Sequence, residues 1–480
     1  MAHSDPASPA RIRGVSLVAL VVACAAFWGL VVTPVWIRVA QYCYAHYDLG
    51  IYTQALARLS LSEPNPWLTG RQLFIFNDHF DPVLFLALPL GTVLAQPWPG
   101  LVAEALWVFL SGAPLLGLYA RGRLGGGATV LGCAVLWLNS GVVGAVNYPI
   151  HPTTWAVFPL VWLGVALHAG WRRTALVALV LLFACKEEFP FVGVMLTAGL
   201  WLRGDRRFSL QVGAVTAVWL LVAFVVRPWW LGPTMGYGAG LFVGLREAPL
   251  DWVSQRLMAP GMISRLGTLL LLFVPLSLWA WRERRGPDGM VLSLLLPMLA
   301  IRFLGKIWGH HYLAVVMAGA FVAFLPLLAS RRLPAWVALA TGVLLVSTNE
   351  NPLRANLRLL AHPELYPVTC PALPERLAGV GRALEFLRTH SEGKALVSGH
   401  LLAHLTARDE VYTVGGLQPE DERHAYRYVL VEKPPHGDAY PTSQERIGEL
   451  LPVWRASPDT QVLTDDAFIF LARGRFLASH

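Results

Sequence analysis

The chain has 480 residues, of which 55% are hydrophobic and 14% are charged, and its formal net charge is +8. Soluble domains carry about 25% charged residues, so this composition excludes an ordinary soluble protein. The positive charge does not indicate nucleic-acid binding, because the arginines cluster in short loops between apolar runs, as they do in membrane proteins.

Many of the apolar runs approach the length at which a helix crosses a bilayer. The first, from about Val15 to Trp36, is too long for the apolar core of a signal peptide, so we expect it to be retained as a span. The later spans are predicted at about 101–120, 128–146, 155–169, 175–185, 189–202, 212–226, 266–281, 290–304, 312–328 and 336–346. The sequence thus predicts an all-α polytopic transmembrane bundle of about eleven spans over residues 1–350.

The segment 38–100 is mixed in character, and we expect it to form a large first external loop that carries an amphipathic helix. Within it, the run from Val83 to Ala95 is apolar but short, and Pro89 interrupts it. We expect this run to dip into the outer leaflet without crossing. If it crossed, the five basic inner loops that follow would change sides, and the bias of arginine toward the cytoplasm would break.

Arginine placement also predicts the orientation. Arg11 and Arg13 precede the first span, which places the N-terminus in the cytoplasm. Each of the five later inner loops carries at least two arginines. We therefore expect an integral protein of the inner cell membrane whose C-terminal part is external, or periplasmic.

From about Asn351 the composition becomes that of a soluble domain. Strands are predicted at 394–398, 410–414, 426–432, 461–465 and 467–472, and helices at 375–389 and 442–454. Residues 351–480 should therefore form a small external α/β domain. Gly415-Gly416 lacks the context of a phosphate-binding loop, which favours a folding or docking module over a second active site.

Five cysteines are present, without the paired spacing of a zinc or redox motif. Cys24, Cys133 and Cys185 fall inside apolar runs and are expected to be inert packing residues. Cys43 and Cys370 would both lie outside the membrane, so a disulfide between them is one alternative and two free thiols are the other.

The ionisable residues of the apolar part concentrate on the predicted outer side. Ionisable residues at a membrane are rare, and a functional site is their usual explanation. The set comes from five loops and comprises Asp48, Asp78, His79, Asp81, His151, Lys186, Glu187, Glu188, Lys306, His310 and His311. We expect Asp48, His151, Lys186 and one of Glu187 or Glu188 to share one outward-facing cavity, with Asp48 within about 15 Å of Lys186.

The residue types in this set suit group transfer. A carboxylate can act as the general base on an acceptor. Lysine and histidine can bind a phosphate leaving group, because a cation stabilises charge as it develops. The combination fits transfer of a group from a lipid-phosphate donor.

Several of these residues have a structural alternative. Asp48 could cap the helix that follows it, and Asp81 could cap the dipping helix before Pro82. His151-Pro152 could be a plain turn that starts a span. Lys186, Glu187 and Glu188 could neutralise one another.

Two further alternatives concern metal and pairing. His310 and His311 could be an interfacial pair, or could hold a divalent metal with His79 and His151, although no fixed ligand spacing supports a metal site. Glu104, near the outer end of its span, could pair with a cation of the outer set.

Four short segments resemble a prokaryotic family of polytopic membrane proteins that is catalogued as a domain of unknown function. They are Tyr47–Leu56, His79-Phe80-Asp81-Pro82, His151-Pro152 and Lys186-Glu187-Glu188. The tail Val397–Arg408 also looks like that family's C-terminal domain. The family is similar in layout to the GT-C glycosyltransferases, such as the protein mannosyltransferases and the aminoarabinose transferases of lipid A.

This resemblance implies a GT-C-like fold and a sugar donor linked to polyprenyl phosphate. It implies that Asp48 takes the position of the catalytic base and that Lys186 lies near the donor phosphate. The GT-C enzymes often carry Asp-Glu in the first loop, whereas Leu49 follows Asp48 here. The family is uncharacterised, so its activity rests on superfamily likeness.

The first functional hypothesis is an inverting glycosyltransferase that acts on the outer face, with a polyprenyl-phosphate-linked sugar and membrane lipids as partners and no nucleic acid. The alternatives are a transporter or flippase of a lipid or glycan, and a catalytically inactive scaffold. Transporters often contain inverted repeats, and the spacing of the spans reveals none. The sugar, the acceptor, any metal and the oligomeric state stay open.

The predicted orientation can be tested with reporters fused to the C-terminus. A C-terminal reporter that works only in the periplasm should show activity, because the arginine-rich loops place residues 351–480 outside. Activity confined to a cytoplasmic reporter would contradict the prediction, and with it the outer placement of Asp48.

Overall fold

The structure is a computed structural model that describes residues 9–43, 47–232, 248–259, 262–306, 308–348, 350–367, 370–416, 425–457 and 459–476. His46 and the side chain of His310 lie outside this part. Most of the described chain is helical, and one small sheet lies near the C-terminus.

The helices before the C-terminal sheet follow the apolar runs. Their bounds are Pro9–Ala26, Phe27–Val32 (a π-helix), Thr33–Ala40, Tyr47–Arg58, Ile75–Asp78, Pro82–Ala87 (a 3-10 helix), Leu88–Gly91, Trp98–Leu110, Ala113–Ala120, Gly126–Leu138, Ser140–Val146, Pro152–Trp155, Val157–Ala169, Arg172–Phe183, Pro190–Leu202, Arg206–Leu221, Val222–Val226 (a π-helix), Arg227–Leu231, Pro249–Leu257, Met262–Arg282, Gly289–Ser293, Leu295–Gly305, His310–Ala323, Leu325–Ser330, Ala335–Thr348 and Glu350–Ala361. Two short strands, β1 (Trp67–Leu68) and β2 (Leu73–Phe74), pair in the segment after Arg58.

Six helices of the described chain are long and apolar enough to cross a membrane. They are Leu17–Ala40, Trp98–Ala120, Pro152–Ala169, Arg206–Leu231, Met262–Arg282 and His311–Ser330. The pair Gly126–Leu138 and Ser140–Val146, bent by 46°, adds a seventh if it is one span. The other predicted spans fall on shorter helices, so the bundle is confirmed while the number eleven stays a prediction.

The run predicted to dip into the membrane forms a short helical stretch. Pro82–Ala87 is a 3-10 helix, and Leu88–Gly91 continues it as a single α-helical turn. Ten residues at about 1.5 Å per residue cannot cross a hydrocarbon layer of about 30 Å. The length of this element agrees with the dipping arrangement.

The helix His311–Ser330 is the centre of the bundle, and 83% of its most apolar window is buried. It packs closely on the helix Val157–Ala169 because that helix has Gly164 at the crossing. A Cβ atom at Gly164 would lie 2.0 Å from Cγ1 of Val322, so a larger residue cannot occupy this position without displacing the helix. Small residues at such crossings are how membrane helices approach one another.

Four basic loops meet at one end of the bundle. Their contacts are Arg172 to Asp205 at 2.6 Å, Arg203 to Asp288 at 2.6 Å, Arg331 to Glu283 at 3.4 Å, and Arg285 to the hydroxyl of Ser330 at 2.8 Å. The helix Met262–Arg282 runs from this end, at Arg282, to Met262, which packs with Trp308 near His311. At 1.5 Å per residue its 21 residues separate the two ends by about 30 Å.

The C-terminal sheet has five strands in the order β4-β3-β5-β7-β6. They are β3 (Ala395–Val397), β4 (Val411–Thr413), β5 (Tyr426–Glu432), β6 (Gln461–Asp465) and β7 (Ile469–Phe476). Strands β3, β4 and β5 are parallel, whereas β7 is antiparallel to β5 and β6. With the 3-10 helix Gly399–His404 and the helices Pro374–Thr389 and Gln444–Ala456, they form the predicted α/β arrangement. The boundary at residue 351 stays a prediction.

The C-terminal sheet region docks on the helix that carries Asp48. The 3-10 helix Gly399–His404 lies against the helix Tyr47–Arg58, and a Cβ atom at Gly50 would come within 2.7 Å of the side chain of Leu402. The hydroxyl of Thr69 donates to the carbonyl of Val411 at 2.8 Å. This close approach requires glycine at position 50. The helix Tyr47–Arg58 therefore packs directly against the sheet region.

A disulfide adds a covalent connection between the same two parts. Cys43 and Cys370 are bonded, with their Cα atoms 5.5 Å apart and 327 positions apart in the chain. The bond joins the end of the first helix to the segment before the helix Pro374–Thr389. Of the two alternatives left open by the sequence, the structure has the disulfide, while Cys24, Cys133 and Cys185 are free.

A fully buried group of three charged residues lies at the same junction. Arg376 donates to both carboxylate oxygens of Glu432 at 2.7 and 2.8 Å, and His400 contacts Glu432 at 2.5 Å. Arg376 also donates to the backbone carbonyl of Gln41 at 2.9 Å. Burial alone raises the pKa of Glu432, but the hydrogen bond and charge of His400, with Arg376, lower this pKa below its ordinary value.

Glu432→Gln should destabilise the protein, since it leaves the Arg376 guanidinium buried without a counter-charge. We expect the free energy of unfolding at pH 7 to fall by about 3–5 kcal/mol, measured by thermal unfolding in detergent. Because the folded-state pKa of Glu432 is lowered, its contribution is present above the ordinary carboxyl pKa and is lost as the pH falls through the folded-state value. The difference from wild type should therefore shrink in acid.

Glu449→Gln is the matched control, because Glu449 forms an exposed ion pair with Arg446 at 2.9 Å. Its effect should stay below about 1 kcal/mol. An equal loss in both variants, or a Glu432→Gln defect that does not depend on pH, would contradict the account of the buried group.

Candidate functional site

Asp48 lies in the first turn of the helix Tyr47–Arg58, with a third of its side chain exposed. Its Oδ2 atom accepts a hydrogen bond from the hydroxyl of Tyr148 at 2.7 Å and lies 3.3 Å from Nε2 of His151. The carboxylate is therefore held from two sides and is still partly open.

His151 is positioned by its own loop and by a buried carboxylate. Its backbone N–H donates to Glu104 at 2.8 Å, and its Nδ1 lies 3.1 Å from the carbonyl oxygen of Tyr148. The carbonyl can only accept, so Nδ1 carries a proton toward it. The contact between Nε2 and Asp48 then also needs a proton, held by either group. Asp48 and His151 can therefore share a proton.

Stacked rings extend the site from His151 to the central helix. The ring of His311 stacks on that of His151 with centroids 4.3 Å apart, and it also stacks on Tyr148 at 5.5 Å. Tyr52 meets His151 edge to face at 5.8 Å. The predicted residues His151 and His311 thus lie together beside Asp48.

Lys186 lies between the helices Arg172–Phe183 and Pro190–Leu202, and only 7% of the residue is exposed. Its Nζ donates to the hydroxyl of Tyr312 at 3.3 Å. The ring of Tyr312 lies 4.0 Å from that of His311. Contacts through Tyr312, His311 and His151 therefore connect Lys186 to Asp48.

Glu188 is paired with a cation of the helix Leu295–Gly305. It forms an ion pair with Arg302, and both side chains are at least nine-tenths buried. The Arg302 guanidinium lies 3.6 Å above the ring of Tyr312, on which Lys186 also converges. Two cations thus lie against one phenol, and the carboxylate of Glu188 faces Arg302.

The side chain of Glu187 contacts the first loop. Its two oxygens contact Nδ1 of His79 at 3.0 Å and the backbone N–H of Phe80 at 2.8 Å. Burial alone raises the pKa of Glu187, but His79, Lys186 and the N–H of Phe80 lower this pKa well below its ordinary value. Glu187 is therefore ionised and holds the first loop against the turn that carries Lys186.

The other two carboxylates of the first loop differ from each other. Asp81 is almost fully buried and accepts a hydrogen bond from Tyr52 at 3.1 Å. Burial, and then the charge of Glu187, raise the pKa of Asp81 well above its ordinary value. Asp78 pairs with Arg71 at 3.1 Å. Asp81 is thus a buried hydrogen-bond partner of Tyr52, whereas Asp78 forms an ion pair with Arg71.

Two of the structural alternatives fail on geometry. Asp81 precedes the helix Pro82–Ala87, but its side chain forms no capping hydrogen bond. Lys186, Glu187 and Glu188 do not merely neutralise one another, because each contacts a residue of another element. The turn alternative for His151-Pro152 stays open, since Pro152 begins a candidate span.

Two residues of the outer side have other partners than the sequence suggested. Glu104, for which pairing with a cation was an alternative, accepts a hydrogen bond from the backbone N–H of His151. Lys306 is exposed and donates to Gln255 at 2.9 Å, so it lies with the helix Pro249–Leu257 and not with Lys186.

The interpretation of the sequence missed several residues of the site. These are Tyr52, Tyr148, Arg302 and Tyr312. Arg302 was detectable, because an arginine inside a predicted span is itself unusual. The tyrosines carry no such signal, since aromatic residues are common at membrane interfaces.

The metal alternative gains no support in the described part of the chain, where no group of three or more His, Cys, Asp or Glu side chains could hold an ion. His79 pairs with Glu187, whereas His151 and His311 lie with Asp48. The side chain of His310 lies outside the described residues.

The family can now be stated. Residues 38–452 match the family described as predicted membrane protein (DUF2079). The chain belongs to this family. No protein of curated function matches it.

Among solved structures, the chain resembles ArnT from Cupriavidus metallidurans. The crystal structure of ArnT bound to undecaprenyl phosphate matches with a TM-score of 0.54 and 14% identity, over 96% of this chain and 98% of that one. The apo crystal structure gives 0.53 and 14%, over 95% and 97%. The expected likeness to the GT-C glycosyltransferases is thus confirmed for the fold.

The pair of Glu188 and Arg302 makes a stability prediction. Arg302→Gln removes the guanidinium and leaves Glu188 buried without a counter-charge, so the free energy of unfolding should fall by about 3–5 kcal/mol. Adding Glu188→Gln should restore part of this loss, because no ionised group is then stranded. Thermal unfolding in detergent measures both.

Arg203→Gln serves as the control, because its pair with Asp288 is half-exposed and should contribute less than about 1 kcal/mol. A double variant that is less stable than Arg302→Gln alone would show that Glu188 is not stranded by the single change.

Proposed function

We propose that this protein is a membrane glycosyltransferase of the GT-C type that transfers a sugar from a polyprenyl-phosphate donor on the outer face of the membrane. The observation that carries the proposal is the continuous contact path from Asp48 through His151, His311 and Tyr312 to Lys186. A partly open carboxylate lies at one end of this path and a buried cation at the other, which supports the proposal. The overall similarity to ArnT, crystallised with undecaprenyl phosphate, supports the choice of donor.

In this reaction Asp48 is the general base. A hydroxyl oxygen of the acceptor attacks the anomeric carbon of the sugar, and its proton passes to the carboxylate. The bond from that carbon to the phosphate oxygen breaks, and the electron pair leaves with the phosphate. Tyr148 and His151 hold one oxygen of Asp48, which orients the carboxylate toward the acceptor.

Lys186 holds the donor phosphate. Its ammonium group is a compact charge with three N–H donors. One of these donors is used in the hydrogen bond to the hydroxyl of Tyr312. A cation fixed at this place stabilises the negative charge that grows on the departing phosphate. Arg302, on the other side of Tyr312, adds a second positive charge nearby.

The remaining predicted residues line or support the binding region. His151 and His311 belong to the wall next to Asp48, and His310, whose side chain lies outside the described residues, precedes His311 in the chain. Asp78, His79 and Asp81 belong to the first loop, which Glu187 fastens to the turn bearing Lys186, and Glu188 positions Arg302. We assign them to substrate binding.

Asp48→Asn tests the base. The amide keeps the shape of the carboxylate but accepts no proton, so sugar transfer should slow by roughly 10²–10⁴-fold while lipid-phosphate binding persists. The measurement is transfer from a polyprenyl-phosphate-linked sugar by the purified protein. Asp251→Asn, an exposed carboxylate of the helix Pro249–Leu257, is the control. Full activity in Asp48→Asn would remove this residue from the catalytic role.

Lys186→Ala tests the phosphate site. It should weaken donor binding as well as the transfer rate, with Lys394→Ala of the C-terminal region as the control. Binding of polyprenyl phosphate and transfer of sugar are measured separately. If the wild type moves lipid across vesicles without chemical transfer, the transporter hypothesis is correct, and binding without either activity would favour an inactive scaffold.

A further inference from the structure

A second candidate site lies at the basic end of the bundle, about 30 Å along the helix Met262–Arg282 from its Met262 end. It is a cavity of about 820 Å³ at the last turns of that helix and the loop after it. Its lining includes Ser277, Ala280, Trp281, Arg282, Arg284 and Arg285. None of these residues belongs to the Asp48 site.

The charge of this cavity is one-sided. Three guanidinium groups line it, and its lining contains no carboxylate. Three carboxylates of the surrounding loops, Asp205, Glu283 and Asp288, are each paired with an arginine outside the cavity, namely Arg172, Arg331 and Arg203. Within the described chain, Arg282 and Arg284 form no ion pair. The loops thus leave the cavity a net positive charge.

Local backbone geometry holds these arginines in place. Arg284 has a φ of 51°, in the left-handed region that few non-glycine residues adopt. The N–H groups of Arg284 and Arg285 close the helix end by donating to the carbonyls of Trp281 and Ala280 at 3.0 and 2.9 Å. Arg285 also donates to the hydroxyl of Ser330. These hydrogen bonds fix the backbone of the loop that carries the three arginines.

The cavity is also amphipathic along the helix axis. The arginines occupy the end of the helix, whereas Ala280 and Ser277 lie toward its apolar interior. Trp281 is 81% exposed, which is typical of an aromatic residue at the boundary between headgroups and hydrocarbon. An anionic head followed by an apolar tail matches this order.

We propose that this cavity binds the phosphate headgroup of an anionic phospholipid of the bilayer. The guanidinium groups contact the phosphate, and the glycerol and upper acyl chains lie against Ala280 and Trp281. Clusters of arginine next to a membrane helix attract anionic lipid headgroups. A free phosphate ion would use the same arginines but would leave the apolar wall without a partner. The site is independent of the proposed transfer reaction.

The test compares lipid binding in two double variants of the full-length protein. Arg282→Gln with Arg284→Gln removes the two arginines of the cavity that form no ion pair in the described chain. Arg173→Gln with Arg207→Gln removes the same charge from exposed positions outside the cavity lining. The protein in detergent is titrated with dioleoyl phosphatidylglycerol, and bound lipid is counted by native mass spectrometry.

At about a factor of five per arginine, the cavity variant should bind phosphatidylglycerol roughly 30-fold more weakly than wild type, and the control less than about threefold. Equal loss in both variants would overturn the proposal, because the effect would then be general charge. Unchanged binding in the cavity variant, or equally tight phosphatidylcholine binding by wild type, would also overturn it. If inorganic phosphate alone binds as tightly as the lipid, the ligand is an anion and not a phospholipid.

The folding of the cavity variant is checked by its elution profile and thermal midpoint without added lipid. Both replaced side chains are exposed, and neither forms an ion pair within the described chain, so we expect the elution profile and the thermal midpoint to match wild type. If the double variant does not fold, the single variant Arg284→Gln gives the same comparison, with an expected loss of about fivefold.

Discussion

An ionised side chain that is buried beside an apolar bundle needs an opposite charge or several hydrogen bonds, and this constraint organises one end of the molecule. Lys186, Glu187 and Glu188 follow one another in a turn, yet each finds its partner in a different part of the chain. The first loop and the central helices are held together by these contacts. The same contacts connect the cations to Asp48, so the requirement for pairing also assembles the candidate site.

The C-terminal sheet region contributes to the site by fixing one of its walls. It contacts the helix Tyr47–Arg58 at Gly50, the disulfide of Cys43 holds the chain just before that helix, and the buried Arg376 donates to the carbonyl of Gln41. A helix of 12 residues in a loop would be marginal on its own. Docked in this way, it can hold the Asp48 carboxylate in one orientation.

The two ends of the bundle differ in the arrangement of their charged residues. Near Asp48, cations and carboxylates are buried and arranged in pairs, which suits the binding and chemistry of a charged substrate. At the other end the arginines outnumber the carboxylates and are largely exposed, as at a surface that faces anionic lipid headgroups. Both properties fit the proposed transfer from a lipid-linked donor.

The sequence by itself determined the membrane class, the positions of most helices, the C-terminal strands and the set of unusual polar residues. These features depend on local composition and periodicity, as with Gln461–Asp465, where the predicted and observed strands coincide. The number of spans is harder to predict, because the burial of a short helix such as Pro190–Leu202 depends on the helices that pack around it.

Only the tertiary structure decided which polar residues meet. Arg302 lies more than 100 positions from Glu188, and Tyr148 lies 100 from Asp48, so no local pattern records either contact. Partners of this kind are selected by the packing of helices and by the need to pair buried charge, and both are properties of the folded chain.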